Sequence, residues 1–224
     1  MSTYKALRKN PSAEPADPAV LAALRDIPVA ALSDNMHRNI GTVGLSPYHR
    51  PGTRTMAGTA VTARSRGGDN LTYLRALEFC RPGDVLVIDG GGDLANAGVG
   101  GILSFYAASI GVVGVVIDGA IRDVAEIRER DFPVYARGVT HRGPYKDGPG
   151  EINVPISVGG MVVNPGDIVV GDQDGLLAFA QAEAALVIEA AQAQQRKEEQ
   201  TMQAIREGRW DRSFVDALEA RLVN

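Results

Sequence analysis

Cysteine, histidine and aromatic residues are scarce in this 224-residue chain, which has one Cys, three His, one Trp and five Phe. A single cysteine, Cys80, forms no internal disulfide, so the fold must rest on its core rather than on cross-links. His37, His49 and His141 share no helical or hairpin spacing and give no support to a histidine-ligated zinc site. Ser33, Ser104, Ser109 and Ser157 lie outside any nucleophile-elbow pattern, and Cys80 falls late in a predicted helix, where a thiol is packed rather than reactive. Basic charge is also short, with 23 Lys+Arg against 27 Asp+Glu, a net charge of -4 and a pI near 5.4. That is the wrong sign for a protein that works on phosphate backbones, so direct nucleic-acid binding is not expected. No apolar run approaches the roughly 20 residues of a membrane span, since the most apolar stretch, Ile110 to Ile117, is broken by glycines. With no basic-then-apolar leader either, the chain reads as cytoplasmic.

Glycine, by contrast, is abundant: 26 residues where average usage of roughly 7% gives about 16. Hydrophobic residues at 45% and charged residues at 22% are close to globular averages. The glycines follow no collagen period, so fibre and disorder are excluded. Residues 1–16 read as an N-terminal extension, 17–180 as one α/β domain and 181–224 as C-terminal helices. Asp17-Pro18 predicts a helix start, with an N-cap and proline at the first helical position. A second short helix is predicted over Pro28 to Met36, then turns from Arg38 to Thr53 and a strand within Thr55 to Ala63. From there the chain alternates. The pattern predicts a helix over Asp69 to Cys80, a buried strand over Asp84 to Asp89, a loop at Gly90 to Asp93 and a helix over Asn96 to Ile110. A strand over Val112 to Ile117, a turn at Asp118-Gly119 and a helix over Val124 to Arg130 follow. Such alternation marks βαβ units around a parallel sheet, with ligands beyond the strands' carboxyl ends, near Gly90 and Gly119. Residues 133–179 read as short strands between Gly, Pro and Asp turns. Gln181 to Glu207 reads as one long helix, with Leu186, Ile188, Met202 and Ile205 as its apolar contacts, and Ser213 to Leu222 as a short one. A helix so long and polar is expected to reach a neighbouring subunit.

Two stretches could carry chemistry. Gly90-Gly91-Gly92-Asp93-Leu94-Ala95 formally fits a dinucleotide-binding turn, but no acidic residue closes the next strand at about 20 residues, and a tight turn where bare backbone packs closely fits as well. Arg122-Asp123 follows the most apolar strand. An arginine fork beside a carboxylate there could grip an anion while the carboxylate holds a hydrated Mg²⁺. Asp123-Val124-Ala125-Glu126 also fits a capping box, which would make Asp123 a helix cap and leave Arg122 to pair with a nearby acid. The Arg196 to Glu199 run reads as a solvated helical face.

Taken in order, Pro82 to Asp89, Gly90 to Asp93, Gly114 to Asp123, Gly159-Gly160, Pro165-Gly-Asp167 and Asp172 to Gly175 resemble the RraA-like family, over about residues 20–205. That family holds regulators of ribonuclease activity and class II aldolases acting on 4-hydroxy-4-methyl-2-oxoglutarate. The resemblance implies a three-layer β/β/α swivelling-type domain, a homotrimer or hexamer, and active sites at subunit boundaries. It implies that Arg122 binds the pyruvyl part of a small 2-oxo acid, that Asp123 holds a divalent cation, Mg²⁺ or Mn²⁺, and that Gly100, Gly101, Ile102 and Leu103 line the substrate. Glu198 or Glu199 is the nearest match to a glutamate given across the interface. The chain departs from the aldolase pattern at Gly101, where an acid is expected. Oxaloacetate decarboxylation and retro-aldol cleavage share a pyruvate enolate, but only the aldol reaction must lose a hydroxyl proton. The departure is therefore expected to favour oxaloacetate, unless Asp93 or another carboxylate substitutes. A ribonuclease assembly is the partner under the rival, non-catalytic reading.

Overall fold

The computed structural model describes residues 6–222. The expected N-terminal extension lies partly outside that range, and within it Leu7–Lys9 forms β1 on the edge of the sheet. The chain then forms α1 (Pro18–Leu24) and α2 (Val29–Asp34). The first starts as its sequence dictates, with Asp17 accepting from the Ala19 amide at 2.8 Å and Pro18 where no amide is needed. A two-residue edge strand, β2 (Ser46–Pro47), precedes β3 (Met56–Ser65), α3 (Leu71–Ala76), β4 (Asp84–Val99) and α4 (Gly101–Ser109). Next come β5 (Gly114–Ile121), α5 (Val124–Glu129) and β6 (Val134–Val139). The second half holds β7 (Gly150–Ile152), the β8 (Ile156–Val158) and β9 (Met161–Val163) hairpin, β10 (Ile168–Gly171) and β11 (Leu176–Phe179). Helices α6 (Ala184–Arg206) and α7 (Ser213–Glu219) close the described chain.

The sheet runs β1-β7-β3-β4-β5-β6-β2, with β10 paired to β3 and β11 to β10. Its centre, β3-β4-β5-β6, is parallel throughout. Both faces are covered, which explains the unbroken apolar run at Val85 to Ile88. Leu86 and Ile88 point to one face with Leu103, Ala107 and Ile127 of the helices, whereas Val85 and Val87 point to the other with Ile156, Val158 and Val163 of the β8-β9 hairpin. Helices, central sheet and hairpin are thus the three layers. A separate apolar cluster joins α1 and α2 to Val187 and Ala191 of α6.

Three local expectations are corrected. The glycine triplet is not a loop between strand and helix, because β4 continues to Val99. Its register against β5 shifts between Asp89 and Asp93, again to Ala97, and again to Val99, as bulges with Gly91 and Gly92 at positive φ. The helix expected from Asn96 therefore starts only at Gly101. The turn at Asp118-Gly119 is likewise strand, because the bulged half of β4 gives Gly119, Ala120 and Ile121 their partners. On α6 the buried contacts come from Ala184, Val187 and Ala191, with Ile188 packed against that cluster as expected, while Leu186, Met202 and Ile205 are exposed within one chain.

Candidate functional site

The extension of β5 to Ile121 delivers Arg122 and Asp123 directly past its end, where the Arg122 amide still bonds the Val99 carbonyl at 3.0 Å. β4 ends at the same level and turns into α4 through Gly100. The two strand ends and the two helix starts therefore meet in one place, at the carboxyl edge of the parallel sheet.

Asp123 is the hinge of this arrangement. Its backbone is left-handed, φ 60° and ψ 36°, a conformation that aspartate tolerates better than most residues but that still costs free energy. The turn sends its side chain away from the helix it precedes: α5 receives no side-chain cap, and Oδ2 instead accepts from the Gly101 amide of α4 at 2.9 Å. The capping-box alternative is thereby corrected. Arg122 Nε stands 3.6 Å from the same oxygen, and both side chains remain about two-fifths exposed. No described protein group donates to Oδ1 of Asp123.

Gly100 and Gly101 open room for these groups. A β-carbon on Gly100 would stand 2.7 Å from Asp123 Oδ2 and 3.1 Å from Arg122 Cγ. One on Gly101 would stand 2.8 Å from Glu126 Cδ. Sequence reasoning passed over Glu126 except as half of a capping box. It pairs with Arg130, which also donates to the Gly101 carbonyl at 2.9 Å and lies 4.9 Å over the Phe105 ring. The Glu126 and Arg130 spacing of four residues was the available signal, but that spacing usually marks a solvent-facing pair.

Gly100 is the N-cap of α4, and Gly101, Ile102 and Leu103 form its first turn, a helix start rather than a loop. Such a turn leaves amide groups without helical partners and favours negative charge. Ile102 is largely exposed and Leu103 is buried in the core. Asp93 does not touch the Arg122 and Asp123 pair. Its carboxylate accepts from the amides of Ala95 and Asn96 and so shapes the bulge, and Asn96 in turn donates to the Gly143 carbonyl at 2.7 Å. A β-carbon on Gly143 would lie 3.1 Å from Arg122 Nη1, so the chain that Asn96 holds passes beside the pair without Asp93 reaching it. Glu198 and Glu199 are not brought to the pair within one chain. They line a groove with Ala30, Ala31 and Asp34 of α2, where Glu198 accepts from Gln194.

Asp118, one strand turn below, is structural. Burial alone would raise its pKa, but the Arg137 guanidinium and the Gly159 amide, at 2.7 Å, hold it below the usual carboxylate range. Cys80 is pushed up to about 12, chiefly by burial and then by Asp84, and its thiol packs against the Ala76 carbonyl. That is the unreactive thiol expected of its sequence position.

The comparisons with known proteins bear on the family and the fold. The RraA-like family, described as aldolase/RraA, matches residues 29–178. A protein of Halalkalibacterium halodurans, provisionally named a 4-hydroxy-4-methyl-2-oxoglutarate aldolase, is 36% identical over 187 residues, 83% of this chain and 88% of its own. The 4-hydroxy-4-methyl-2-oxoglutarate aldolase of Thermus thermophilus is 42% identical over 109 residues, 49% of this chain and 66% of its own. Among solved structures, Streptomyces coelicolor RraAS2, described as an unusual member of the RNase ES inhibitor RraA protein family, superposes with a TM-score of 0.75 at 27% identity. It covers 84% of this chain and 97% of its own. With two thirds of its length matched and its three layers shared, the chain belongs to the RraA-like family.

Proposed function

We propose that the protein is a divalent-metal-dependent carbon-carbon lyase that releases pyruvate from small 2-oxo diacids, by aldol cleavage or by decarboxylation of oxaloacetate. The observation that carries this reading is the left-handed turn at Asp123, which places a half-exposed carboxylate beside Arg122 and over the first turn of α4. The names of the aldolase relatives support the reaction class.

The donor set fits a hydrated cation. Asp123 keeps one oxygen without a described donor on a side chain about two-fifths exposed, and among the described residues no group of three or more His, Cys, Asp or Glu is placed to enclose a metal. Mg²⁺ and Mn²⁺ suit such a site, since they accept oxygen ligands and Mg²⁺ keeps several waters on one or two carboxylates. When bound, the cation would polarise the 2-oxo group and stabilise developing enolate charge. Arg122 supplies fixed positive charge to the same oxyanion and a fork for the neighbouring carboxylate. The first turn of α4 leaves the amides of Ile102 and Leu103 without helical partners, which would favour an anion at the α4 start. The lack of a side chain at Gly100 leaves room for the Asp123 carboxylate and for Arg122 beside it.

The site is shallow in one chain, and Ile102, Phe105 and Tyr106 are exposed beside it. We therefore place it at a boundary between copies in a homotrimer or hexamer. Glu198 and Glu199 would then come from a neighbour.

Asp123→Ala is expected to abolish metal-dependent pyruvate release from both oxaloacetate and 4-hydroxy-4-methyl-2-oxoglutarate, as followed by coupled reduction of pyruvate. Chelation should do the same to the unaltered protein, with activity returning on adding Mg²⁺ or Mn²⁺. Turnover that survives either treatment would remove the metal assignment. The likeness to RraAS2, with the net charge of -4, favours as a second reading a non-catalytic protein that engages basic segments of a ribonuclease assembly. That reading expects no turnover and no effect of Asp123→Ala on ribonuclease inhibition.

A further inference from the structure

We infer that Glu126 is the proton acceptor of the candidate site, delivering from α5 a carboxylate to the position where residue 101 of α4 has no side chain. The inference rests on the lyase reading above. Three observations carry it. The Glu126 carboxylate fills the space above Gly101, with Cδ 2.8 Å and Oε1 3.0 Å from where a β-carbon would stand, so a glycine at 101 and a glutamate reaching over it fit together. Gly101 also donates its amide to Asp123 Oδ2, so the two carboxylates flank one residue and belong to one site. Finally, Arg130 fixes the arrangement from both sides: it pairs with Glu126, bonds the Gly101 carbonyl at 2.9 Å and is seated on the Phe105 ring. An ordinary surface pair of this spacing would leave both side chains swinging in solvent. Here the arginine is three-quarters covered, while about half of the glutamate side chain stays exposed.

Its chemistry follows from the reaction. In aldol cleavage of 4-hydroxy-4-methyl-2-oxoglutarate, Glu126 takes the proton of the C4 hydroxyl and the C3–C4 bond breaks. Its electron pair passes to the C2–C3 unit as pyruvate enolate, while C4 becomes the carbonyl of a second pyruvate. The proton on Glu126 is then given to C3 of the enolate, so the carboxylate is restored and no proton is gained or lost. Decarboxylation of oxaloacetate also forms the enolate but has no hydroxyl proton to remove. Glu126 is thus the carboxylate that offsets the glycine at 101 and retains the aldol reaction.

The test compares the two substrates. Glu126→Gln, which keeps the shape and the reach to Arg130, is expected to lower kcat for aldol cleavage at least 100-fold more than kcat for decarboxylation, a factor typical of a lost general base. Mn²⁺ affinity, titrated on the protein without substrate, should change less than threefold, which separates proton transfer from metal holding. Adding Gly101→Asp to Glu126→Ala, which empties the space above residue 101, restores a carboxylate there and should recover at least tenfold of the aldol rate that Glu126→Ala alone loses. A thermal melt of each variant checks folding. Equal loss on both substrates, a Mn²⁺ affinity weakened more than tenfold, or an aldol rate unaffected by Glu126→Gln would each overturn the role. A wild-type protein that decarboxylates oxaloacetate but does not cleave the aldol would overturn this inference and leave the lyase reading standing. One that releases no pyruvate from either substrate would overturn both.

Discussion

Gly100 and Gly101 are neighbours whose missing side chains serve different groups. Gly100 has extended backbone, φ -148° and ψ -169°, which any residue can adopt, so replacing it tests space alone. A methyl group there would stand 2.7 Å from Asp123 Oδ2 and 3.2 Å from Arg122 Nε and would push the pair apart. Gly100→Ala is expected to lower turnover by about tenfold or more while leaving the melting temperature almost unchanged, because small displacements of positioned groups are costly in rate. Unchanged turnover would show that the pair does not act from this position. Arg122 and Asp123 could be found in the sequence because they follow an unmistakable buried strand. Glu126 could not, since one spacing is shared by capping boxes, solvent pairs and site residues. Only the left-handed turn at Asp123, which redirects that carboxylate to Gly101, leaves Glu126 over the same residue.

At the scale of elements, Asp118 fastens three pieces of chain. Lying in β5, it is held by Arg137 of β6 and accepts from Gly159 in the turn between β8 and β9. Asp118→Ala leaves the Gly159 amide buried without its acceptor and Arg137 without its counter-ion. A loss of about 2 kcal/mol in denaturant unfolding is expected, within the range for an orphaned buried donor. A loss below about 0.5 kcal/mol would mean that water replaces the carboxylate. The same scale shows what a single sequence reveals. Val85 to Ile88 and Val115 to Ile117 are legible as strands because both faces are buried and every residue is apolar. Leu94 to Val99 is not, since its alanines favour helix and the glycine bulges before it break the two-residue period by which strands are recognised. β1 was invisible for a different reason, being three residues paired with β7, more than a hundred positions away. Long-range pairing of that kind supplies no local pattern. On α6 the polar sequence correctly signalled a long helix, but the burial of Val187 and Ala191 rather than Leu186 depends on where α1 and α2 lie.

For the whole molecule, buried titratable groups set the response to acid. Asp118 and Asp69 are both held below 3.8 in the fold. Burial opposes this in each case, but hydrogen bonds and arginine charge outweigh it, with Asp69 accepting from the amides of Leu71, Asp147 and Gly148. Their stabilisation is complete above pH 3.8 and is lost as pH falls through the lower folded values. His49 adds an earlier step, because burial lowers its pKa beneath 6.5 and its ring is wedged between Val134 and Gln173. It favours the folded state fully above pH 6.5 and progressively less as pH falls through its folded value. Asp84, raised by burial, works in the opposite sense. Unfolding free energy should therefore decline in two stages on acidification, the first beginning below pH 6.5 and the second below pH 3.8. Replacing His49 with Gln should remove the first stage alone, as measured by denaturant titration at each pH. A single decline below pH 4 in the unaltered protein would rule out the histidine contribution.

The bulged half of β4 has one more consequence. Residues 89–99 run against only residues 118–121 of β5, so about 36 Å of extended chain serves a partner of about 13 Å. The surplus is slack, taken up in the bulges between the regular pairing that ends at Asp89 and the single pairing of Val99 with Ile121. Insertions or deletions within 90–96 are expected to be absorbed in these bulges rather than to slide Val85 to Ile88 along their neighbours. The chain beyond the regular half of β4 can therefore change length at this one seam while the core keeps its register.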